Sequence, residues 1–556
     1  MTQEQDPRLV QTPVRLSTSK IWQIQRNYFS SMGINAWKSE VPFYISSNAF
    51  IGQRYAALVV NYIKDWLNLH PEHASNVFHI LEVGSGTGKF SFYFLKSLKK
   101  LLVQNKLNHI KFCYIISDII ENNINFCLEN SSFKEYIERG EIDFSNYDVE
   151  NDVDFHLKLK DCQYSQLDVK TPLIVIANYT FDCIKHDEFE YQDGKFYEVK
   201  LGIQSRYKNF DVDKSMHLDD LRFHFERVDV SASIENYYEN KDYNKILLDY
   251  PKFFTKKKVT RIMMPLCAFE FLDNLKKMTQ NNVFLIVGDK GVSQPERFSL
   301  LGEKYRYSYD GCYSFLVNFH AIGEYAKLIG GDYLLTNNSN DFKVNLYGLG
   351  ASFDDFPQTT TYFNEDIQSI GPEEYVYFYD EYLTSSFRFT LKSLLAFVRF
   401  SEWDPDAYAG VHDRLFELLP IATAQFIEDL KDDLDKVINN IYNINLGEDV
   451  YNLAGMIFQV LDEDDKAVTL YNQSLAVFGD RADPHSNLGM IYEKKKNPTK
   501  AIEHYSKVVE LDKKNRYARN KLNLLTGKPY FAMITPILRG LLVLGFIAGT
   551  VYIISH

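Results

Sequence analysis

Four residues in the pattern E-x-G-x-G-x-G, Glu82, Gly84, Gly86 and Gly88, could together bind a nucleotide-type cofactor. Glycines let the backbone turn sharply and let a ligand approach the main chain, because no Cβ stands in the way. Free N–H groups at the start of a following helix can then bind that ligand. An acid at this place suits a cationic amine or sulfonium. We therefore predict that these four residues bind the cofactor.

The sequence around this turn predicts the elements that would position it. The apolar run 79–83 predicts a buried strand, and the spacing of Phe90, Phe94, Leu95 and Leu98 predicts a helix. Strand, glycine turn and helix is the arrangement of nucleotide-type cofactor sites. The glycine spacing differs from the dinucleotide fingerprint G-x-G-x-x-G and resembles motif I of the class I S-adenosyl-L-methionine (AdoMet) methyltransferases. The alternatives are a plain strand-to-helix turn and a different nucleotide cofactor.

Two further acids follow predicted strands and are candidates for the same site. Asp118 ends the run 112–117, where a carboxylate can accept hydrogen bonds from both ribose hydroxyls of a cofactor. Asp148 follows the segment 142–147, where it would lie near the adenine. Each residue could instead cap the next helix. We predict both as cofactor-binding residues.

The candidate catalytic residues, Asn178 and Asp182, follow the apolar run 172–177. Methyltransferases place groups that face the substrate nucleophile at this position. Asn178 offers a carbonyl acceptor and Asp182 a carboxylate, and either could hold or deprotonate an amine or amide acceptor. The alternative is a turn with a buried, hydrogen-bonded asparagine.

The segment 177–199, ANYTFDCIKHDEFEYQDGKFYEV, resembles the corresponding region of the MidA-like methyltransferases, which include mitochondrial complex I assembly factors that modify an arginine of a partner protein. This chain keeps the family's Ala177, Asn178, Asp182 and Phe189, and it has Tyr179 where the family has an acid. The stretch 41–56 is similar to the family segment that helps to cover the cofactor. The resemblance implies an AdoMet-dependent methyltransferase.

Alternating apolar runs and helical stretches from about 77 to 287 predict an α/β Rossmann-like methyltransferase fold with a mostly parallel, seven-stranded sheet. The predicted strands are 79–83, 112–117, 142–148, 172–178 and 283–287. Segments 312–319 and 342–348 are predicted as the antiparallel hairpin that ends such a sheet.

A repeat with a period of 34 residues follows the predicted sheet. Ala454-Gly455, Phe458, Ala467 and Tyr471 recur as Leu488-Gly489, Tyr492, Ala501 and Tyr505. This period, with small residues at the helix crossing and aromatics at fixed offsets, resembles the tetratricopeptide repeat (TPR) and predicts an all-α region that binds a protein or peptide. Two unrelated helical hairpins are the alternative.

The uncharged segment 540–555 predicts a C-terminal transmembrane helix when it is extended back to residue 530. Basic residues before it predict a tail anchor that leaves the bulk of the chain facing the cytoplasm. The alternative is a buried helix that caps the repeats.

Length and composition limit the remaining possibilities. The 556 residues predict two to four domains, and the net charge of −13 argues against a nucleic-acid partner. Six cysteines show neither a C-x-x-C pair nor metal-ligand spacing, so we expect no metal. The predicted organisation is a flexible lead (1–19), an N-terminal helical cap (20–70), a methyltransferase-like domain (71–371) with an insert (181–278), a helical linker (372–445), the repeats (446–528) and the tail anchor (530–555).

The sequence thus predicts an AdoMet-dependent methyltransferase that acts on a protein partner recruited by the repeats at a membrane. The alternative is a non-catalytic, membrane-anchored scaffold or assembly factor whose methyltransferase-like domain only binds AdoMet or is degenerate.

Overall fold

The computed structural model describes residues 8–37, 44–208, 211–212, 218–254, 259–301, 306–309 and 312–527. The strands within these ranges are β1 (Leu9–Arg15), β2 (Val77–Val83), β3 (Lys111–Asp118), β4 (Ile142–Asn146), β5 (His156–Leu157), β6 (Cys162–Gln163), β7 (Leu173–Asn178), β8 (Asp187–Gln192), β9 (Lys195–Ser205), β10 (Leu221–Asp229), β11 (Thr260–Met264), β12 (Val283–Val292), β13 (Arg306–Tyr309), β14 (Cys312–Phe315), β15 (Val317–Asn318), β16 (Gly331–Leu334) and β17 (Phe342–Leu349).

The α-helices of the same ranges are α1 (Ile21–Met32), α2 (Ala49–Leu69), α3 (Lys89–Gln104), α4 (Glu121–Glu129), α5 (Lys134–Glu138), α6 (Lys241–Asp249), α7 (Leu266–Met278), α8 (Phe319–Leu328), α9 (Pro357–Tyr362), α10 (Pro372–Ser385), α11 (Leu391–Phe400), α12 (Pro405–Leu418), α13 (Ala424–Asn439), α14 (Val450–Val460), α15 (Asp464–Phe478), α16 (Ala482–Lys494), α17 (Pro498–Leu511) and α18 (Arg516–Thr526). The chain forms two compact units, and the boundary between them in the sequence lies between Gly447 and Glu448.

The first unit is built on a mixed sheet with the strand order β16-β17-β12-β7-β2-β3-β4, and the short strand β15 pairs beside β12. The strands from β12 to β4 are parallel, whereas β17 runs antiparallel to both of its neighbours. The inner strands are buried on both faces, which is why they appear in the sequence as continuous apolar runs. The predicted α/β fold with a mostly parallel sheet is confirmed, and the sheet has one short strand, β15, beyond the seven predicted.

The predicted terminal hairpin differs in one strand. Segment 312–319 does not pair with β17. It forms β14 and β15 and then begins α8, because the Asn318 side chain accepts a hydrogen bond from Ala321 N–H at 3.0 Å and caps that helix. The hairpin partner of β17 is instead β16, which the sequence pattern did not reveal.

A second, antiparallel sheet has the order β1-β9-β8-β11, and β10 also pairs with β9. Most of its strands come from the predicted insert, but β1 lies within the segment 1–19 that was predicted to be a flexible lead. Residues 9–15 are ordered because they pair with β9 across about 190 residues of sequence, for example Val14 with Leu201. No local sequence pattern predicts such a long-range pairing.

The two faces of the central sheet carry separate hydrophobic cores, and β2 contributes to both. Leu81 and Val83 belong to the core shared with the antiparallel sheet, whereas Phe78 and Ile80 belong to the core under α2 and α3. The alternation follows from the two-residue side-chain period of a strand. Because β2 is anchored on both faces, the turn that follows it has a fixed position.

The segment predicted as a helical linker, 372–445, packs into the first unit. Tyr375, Tyr442 and Ile444 are buried in the core that also contains α2 and α3. The second unit consists of the helical hairpins α14–α15 and α16–α17, followed by α18. A Cβ on Gly455 or Gly489 would lie 2.7 Å from a ring atom of Tyr471 or Tyr505, respectively, which explains the repeated glycine and tyrosine.

The predicted location at a membrane requires correction. No helix within the described residues is long and apolar enough to cross a membrane. Segment 530–555, on which the tail anchor was predicted, lies outside the described residues. The prediction rested on the uncharged, apolar composition of this segment and on the basic residues before it, and the described residues contain no spanning helix to support it.

Gly52 offers a test of the contact between α2 and α3. A Cβ at this position would lie 2.6 Å from Tyr93 Cβ and 2.9 Å from the Tyr93 carbonyl carbon, so backbone would have to move. We expect Gly52→Ala to reduce the free energy of unfolding by about 1–3 kcal/mol, the usual cost of overpacking. The control is Gly348→Ala, where the nearest atom lies 3.5 Å away. Thermal unfolding that shows equal midpoints for both variants would contradict this contact.

Candidate cofactor and active site

The turn between β2 and α3 has the geometry that only glycine adopts easily. Gly84, Gly86 and Gly88 have φ angles of 69°, 54° and 73°. Ser85 N–H donates to the Ser117 carbonyl oxygen at 2.9 Å, which ties the turn to the neighbouring strand β3. Gly88 immediately precedes the first helical residue of α3. The turn therefore places consecutive backbone groups at a helix N-terminus, as an anionic or polar ligand requires.

A cleft lies at the carboxyl ends of the central parallel strands. This location is the usual ligand position in open α/β sheets. Three of the predicted cofactor residues line the cleft, namely Gly84, Asp118 and Asp148. Glu82, Gly86 and Gly88 are not among its lining residues.

Asp118 joins the end of β3 to the glycine turn. Its Oδ2 accepts from Gly86 N–H at 2.9 Å, and its Oδ1 accepts from Ile120 N–H at 2.7 Å. Burial raises the pKa of Asp118, and these two hydrogen bonds from backbone N–H groups partly offset that rise. The carboxylate thus fixes the shape of the turn while it also lines the cleft.

Asp148 is held by an arginine from the N-terminal helix α1. Arg26 Nη1 lies 2.6 Å from Asp148 Oδ2, and Arg26 also contacts Glu150. Burial would raise the pKa of Asp148, but the hydrogen bonds from Arg26 and Asn151 lower it below its usual value. Asp148 is therefore ionised and already paired with a cation at neutral pH.

Glu82 points to the opposite face of the sheet from the cleft. Its Oε2 accepts from Tyr114 Oη at 2.7 Å and from the Ser91 hydroxyl. Burial raises the pKa of Glu82 to about 7, with the two hydrogen bonds acting against that shift. The structure does not bring Glu82 to the cleft. Its carboxylate instead connects β2, β3 and α3 beneath the glycine turn.

Several buried polar atoms at the cleft have no hydrogen-bond partner within the described part of the chain. Both amide atoms of Asn123 are of this kind, as is the Tyr147 hydroxyl, and both residues line the cleft. The Ser85 hydroxyl in the glycine turn is likewise unpaired. Unpaired buried polar groups cost free energy, so these atoms are available to bond a polar ligand or water in the cleft.

The Asn178 side chain lies at the end of β7, where Tyr55 of α2 orients it, and Asn178 is not among the residues that line the cleft. Tyr55 Oη donates to Asn178 Oδ1 at 2.8 Å, while Asn178 Nδ2 is buried without a partner among the described residues. Gly288 on β12 makes room for this bond, because a Cβ there would lie 2.3 Å from the tyrosine oxygen. The next residue, Tyr179, lines the cleft with a φ of 49°.

Asp182 forms a buried pair of acids with Asp289 of β12. Asp289 Oδ2 accepts from the backbone N–H groups of Phe181 and Asp182 at 2.9 and 3.1 Å. Burial raises the pKa of Asp182 to about 6, and burial together with the Asp182 charge raises the pKa of Asp289 well above its usual value. The pair therefore carries about one negative charge near neutral pH. Asp182 is not among the residues that line the cleft, although Thr180 and Cys183 are.

The sequence interpretation missed the wall of the cleft that α1 provides. Trp22, Arg26 and Phe29 of this helix line the cleft. The predicted N-terminal helical cap (20–70) includes this helix, but the sequence did not show which site the helix lines. The stretch 41–56 has another role where it is described, since Asn48 caps α2 and Arg54 pairs with Asp366 at 2.7 Å.

Two parts of the chain match models of known protein families. Residues 57–297 match the family model described as "Putative S-adenosyl-L-methionine-dependent methyltransferase", and residues 482–515 match the tetratricopeptide repeat. Residues 57–297 are therefore similar to the methyltransferases that this model describes. The predicted class of enzyme and its cofactor, AdoMet, are thereby confirmed, as is the TPR.

Individual relatives are more distant. A methyl transferase-type protein from Burkholderia thailandensis bound to S-adenosyl-homocysteine is 14% identical, with a TM-score of 0.38 over 62% of this chain and 90% of the other. A second solved structure, of an uncharacterized protein from the same organism, is 13% identical to this chain, with a TM-score of 0.34 over 61% of this chain and 96% of the other. The uncharacterized protein ycf37 of Guillardia theta is 33% identical over 100 residues, which are 16% of this chain and 56% of that protein. The match thus spans about half the length of this curated relative.

The methyltransferase cleft contains groups that suit AdoMet. Asp118 and the unpaired amide of Asn123 could hold ribose hydroxyls, and Tyr147 lies beside the loop that carries Asp148. The left-handed glycines leave the cleft edge free of side chains at Gly84. The donors and acceptors present therefore fit a nucleoside with an amino-acid portion.

The buried Glu82 predicts a specific pH dependence of stability. An unfolded glutamate has a pKa near 4.5, whereas that of Glu82 is raised to about 7, so the folded state binds more protons between these values. The stability of the wild-type protein should fall relative to Glu82→Gln as the pH rises from 5 to 7, by up to about 3 kcal/mol. Urea unfolding at several pH values measures this difference.

The control for this experiment is Glu129→Gln, because Glu129 is exposed at the end of α4. This variant should follow the wild type at each pH. If Glu82→Gln follows it too, burial of an ionisable glutamate beneath the glycine turn is not supported.

Proposed function

We propose that the chain is an AdoMet-dependent methyltransferase that acts on a protein partner recruited by its TPR unit. The observation that carries the enzymatic part is the cleft itself, which combines Gly84, Asp118 and Asp148 with unpaired polar atoms of Asn123 and Tyr147. The TPR supports a protein partner, because stacked helical hairpins present extended surfaces to peptides.

Bound AdoMet would supply an electrophilic methyl group on a sulfonium. The protein's part in such a transfer is mostly positioning and exclusion of water. Asn178 has its Oδ1 fixed by Tyr55 and its Nδ2 unpaired among the described residues, so the amide is oriented in advance. Asp182, whose pKa is about 6, is ionised at neutral pH and could accept a proton from an amine or amide nucleophile. The roles of both residues are part of this proposal.

The cofactor assignment predicts the effect of a side chain in the glycine turn. We expect Gly86→Val to abolish measurable AdoMet binding in calorimetry, because the residue has a φ of 54° and its N–H is bonded to the cleft residue Asp118. Gly140→Val is the matched control, since Gly140 also has a positive φ, 68°, and has no atom within 4 Å of its Cβ position. AdoMet affinity that is unchanged in Gly86→Val would contradict the assignment.

The catalytic assignment predicts the effect of neutralising Asp182. Full-length protein incubated with AdoMet carrying a labelled methyl group should label a protein in a lysate of its source, and Asp182→Asn should reduce the labelling rate by about 10²–10⁴. AdoMet affinity should change little, because Asp182 does not line the cleft. Equal labelling rates for both proteins would remove Asp182 from the catalytic role.

The second candidate function is a non-catalytic scaffold that binds AdoMet. It is favoured by the internal bonding of Glu82, Asp118 and Asp148, whose carboxylates already have protein partners. Calorimetric binding of AdoMet without any protein labelling would support this candidate over the enzyme.

A further inference from the structure

The segment that leads into the TPR unit also forms the back of the glycine turn. This segment, residues 439–446, is here named the connector, and the second compact unit begins at Glu448, shortly after it. Tyr442, in its middle, is 4% exposed, and Ile444 is 8% exposed. A simple linker between domains is normally exposed and makes few contacts. The burial of these side chains indicates a more specific role.

The Tyr442 hydroxyl binds the glycine turn directly. It donates a hydrogen bond to the Thr87 carbonyl oxygen at 2.7 Å. A Cβ on Gly88 would lie 3.0 Å from the same hydroxyl oxygen, so the turn and the tyrosine are in tight contact. The Tyr442 ring packs between Phe92 of α3 and Phe133, with centroids 5.4 and 5.8 Å away.

Backbone groups of the connector are also fixed to the methyltransferase domain. Asn130 Nδ2 donates to the Asn443 carbonyl oxygen at 2.8 Å, and Asn443 N–H donates to Ser132 Oγ at 3.1 Å. Lys96 of α3 donates to the Asn439 carbonyl oxygen. These bonds keep Tyr442 in register with the turn.

The glycine turn is therefore held from two directions. Asp118, which lines the cleft, accepts from Gly86 N–H at 2.9 Å, and Tyr442 donates to the Thr87 carbonyl on the adjoining residue. The peptide groups on either side of the Gly86–Thr87 peptide are thus each fixed by one side chain. A change in either contact would alter the backbone that borders the cofactor.

We propose that Tyr442 is a positioning residue for AdoMet binding and that the position of the connector is coupled to AdoMet affinity. This inference rests on the proposed function. Coupling between two sites is reciprocal, so a partner that displaces the connector would weaken AdoMet binding, and AdoMet would stabilise the connector.

The test compares full-length wild type with Tyr442→Phe and Tyr382→Phe. The control, Tyr382 of α10, also donates its hydroxyl to a backbone carbonyl, that of Ser393 at 2.5 Å, but it does not contact the turn. We expect Tyr442→Phe to raise the dissociation constant of AdoMet about tenfold, the usual effect of one lost hydrogen bond, with Tyr382→Phe close to wild type. Calorimetry measures all three values.

Hydrogen exchange separates this role from a purely structural one. If Tyr442 were purely structural, its substitution would leave the effect of AdoMet on amide exchange unchanged. In the wild type, AdoMet should slow amide exchange of Asn443 and Ile444, and this protection should disappear in Tyr442→Phe. If Tyr442→Phe does not fold, the AdoMet-induced protection of Asn443 and Ile444 in the wild type tests the inference by itself. Wild type that binds AdoMet without protecting the connector, or Tyr442→Phe with wild-type affinity, overturns the inference. Wild type that does not bind AdoMet overturns the proposed function and the inference together.

Discussion

The Asp118 carboxylate accepts the N–H groups of Gly86 and Ile120, and these two bonds join the turn after β2 to the end of β3. The rest of the cleft depends on this junction. Parallel strands β2, β3 and β7 end at the same edge of the sheet, so one carboxylate can reach two successive loops. Without it, three left-handed glycines in five residues would leave the turn many conformations.

The free-energy cost of this arrangement lies in the burial of ionisable acids around the site. Glu82 lies under the turn with a raised pKa, and Asp182 lies beside Asp289, whose pKa is raised further. Each acid is partly compensated by hydroxyl or backbone N–H donors. Groups with shifted pKa values of this kind concentrate at functional sites, although structural networks produce them too. Here Glu82 has a structural environment, while Asp182 lies next to residues that line the cleft.

Segments remote in sequence close the site from the outside. The helix α1 places Arg26 on Asp148 and lines the cleft with Trp22. The strand β1 before it is held by β9 of the insert, so the insert indirectly fixes the cover of the cleft. From the other side, Tyr442 reaches the turn from a segment 355 residues away in the chain. The methyltransferase domain is therefore complete only with both its N-terminal and its C-terminal additions.

The sequence by itself determined the central sheet, the glycine turn and the repeat, because each depends on local patterns. Buried strands produce continuous apolar runs, the turn needs glycine at fixed spacing, and the repeat has a period of 34 residues with Gly455 and Gly489 at equivalent places. Gly84, Asp118 and Asp148 were found because residues after parallel strands must meet at one edge. Only the tertiary structure decided that Glu82 points away from the cleft. It also decided that β16, and not segment 312–319, pairs with β17. The contacts that α1 makes with the cleft and Tyr442 with the glycine turn likewise appear only in the folded chain. These features depend on which face a side chain takes and on pairings between distant segments, and no local pattern of residues encodes either of them.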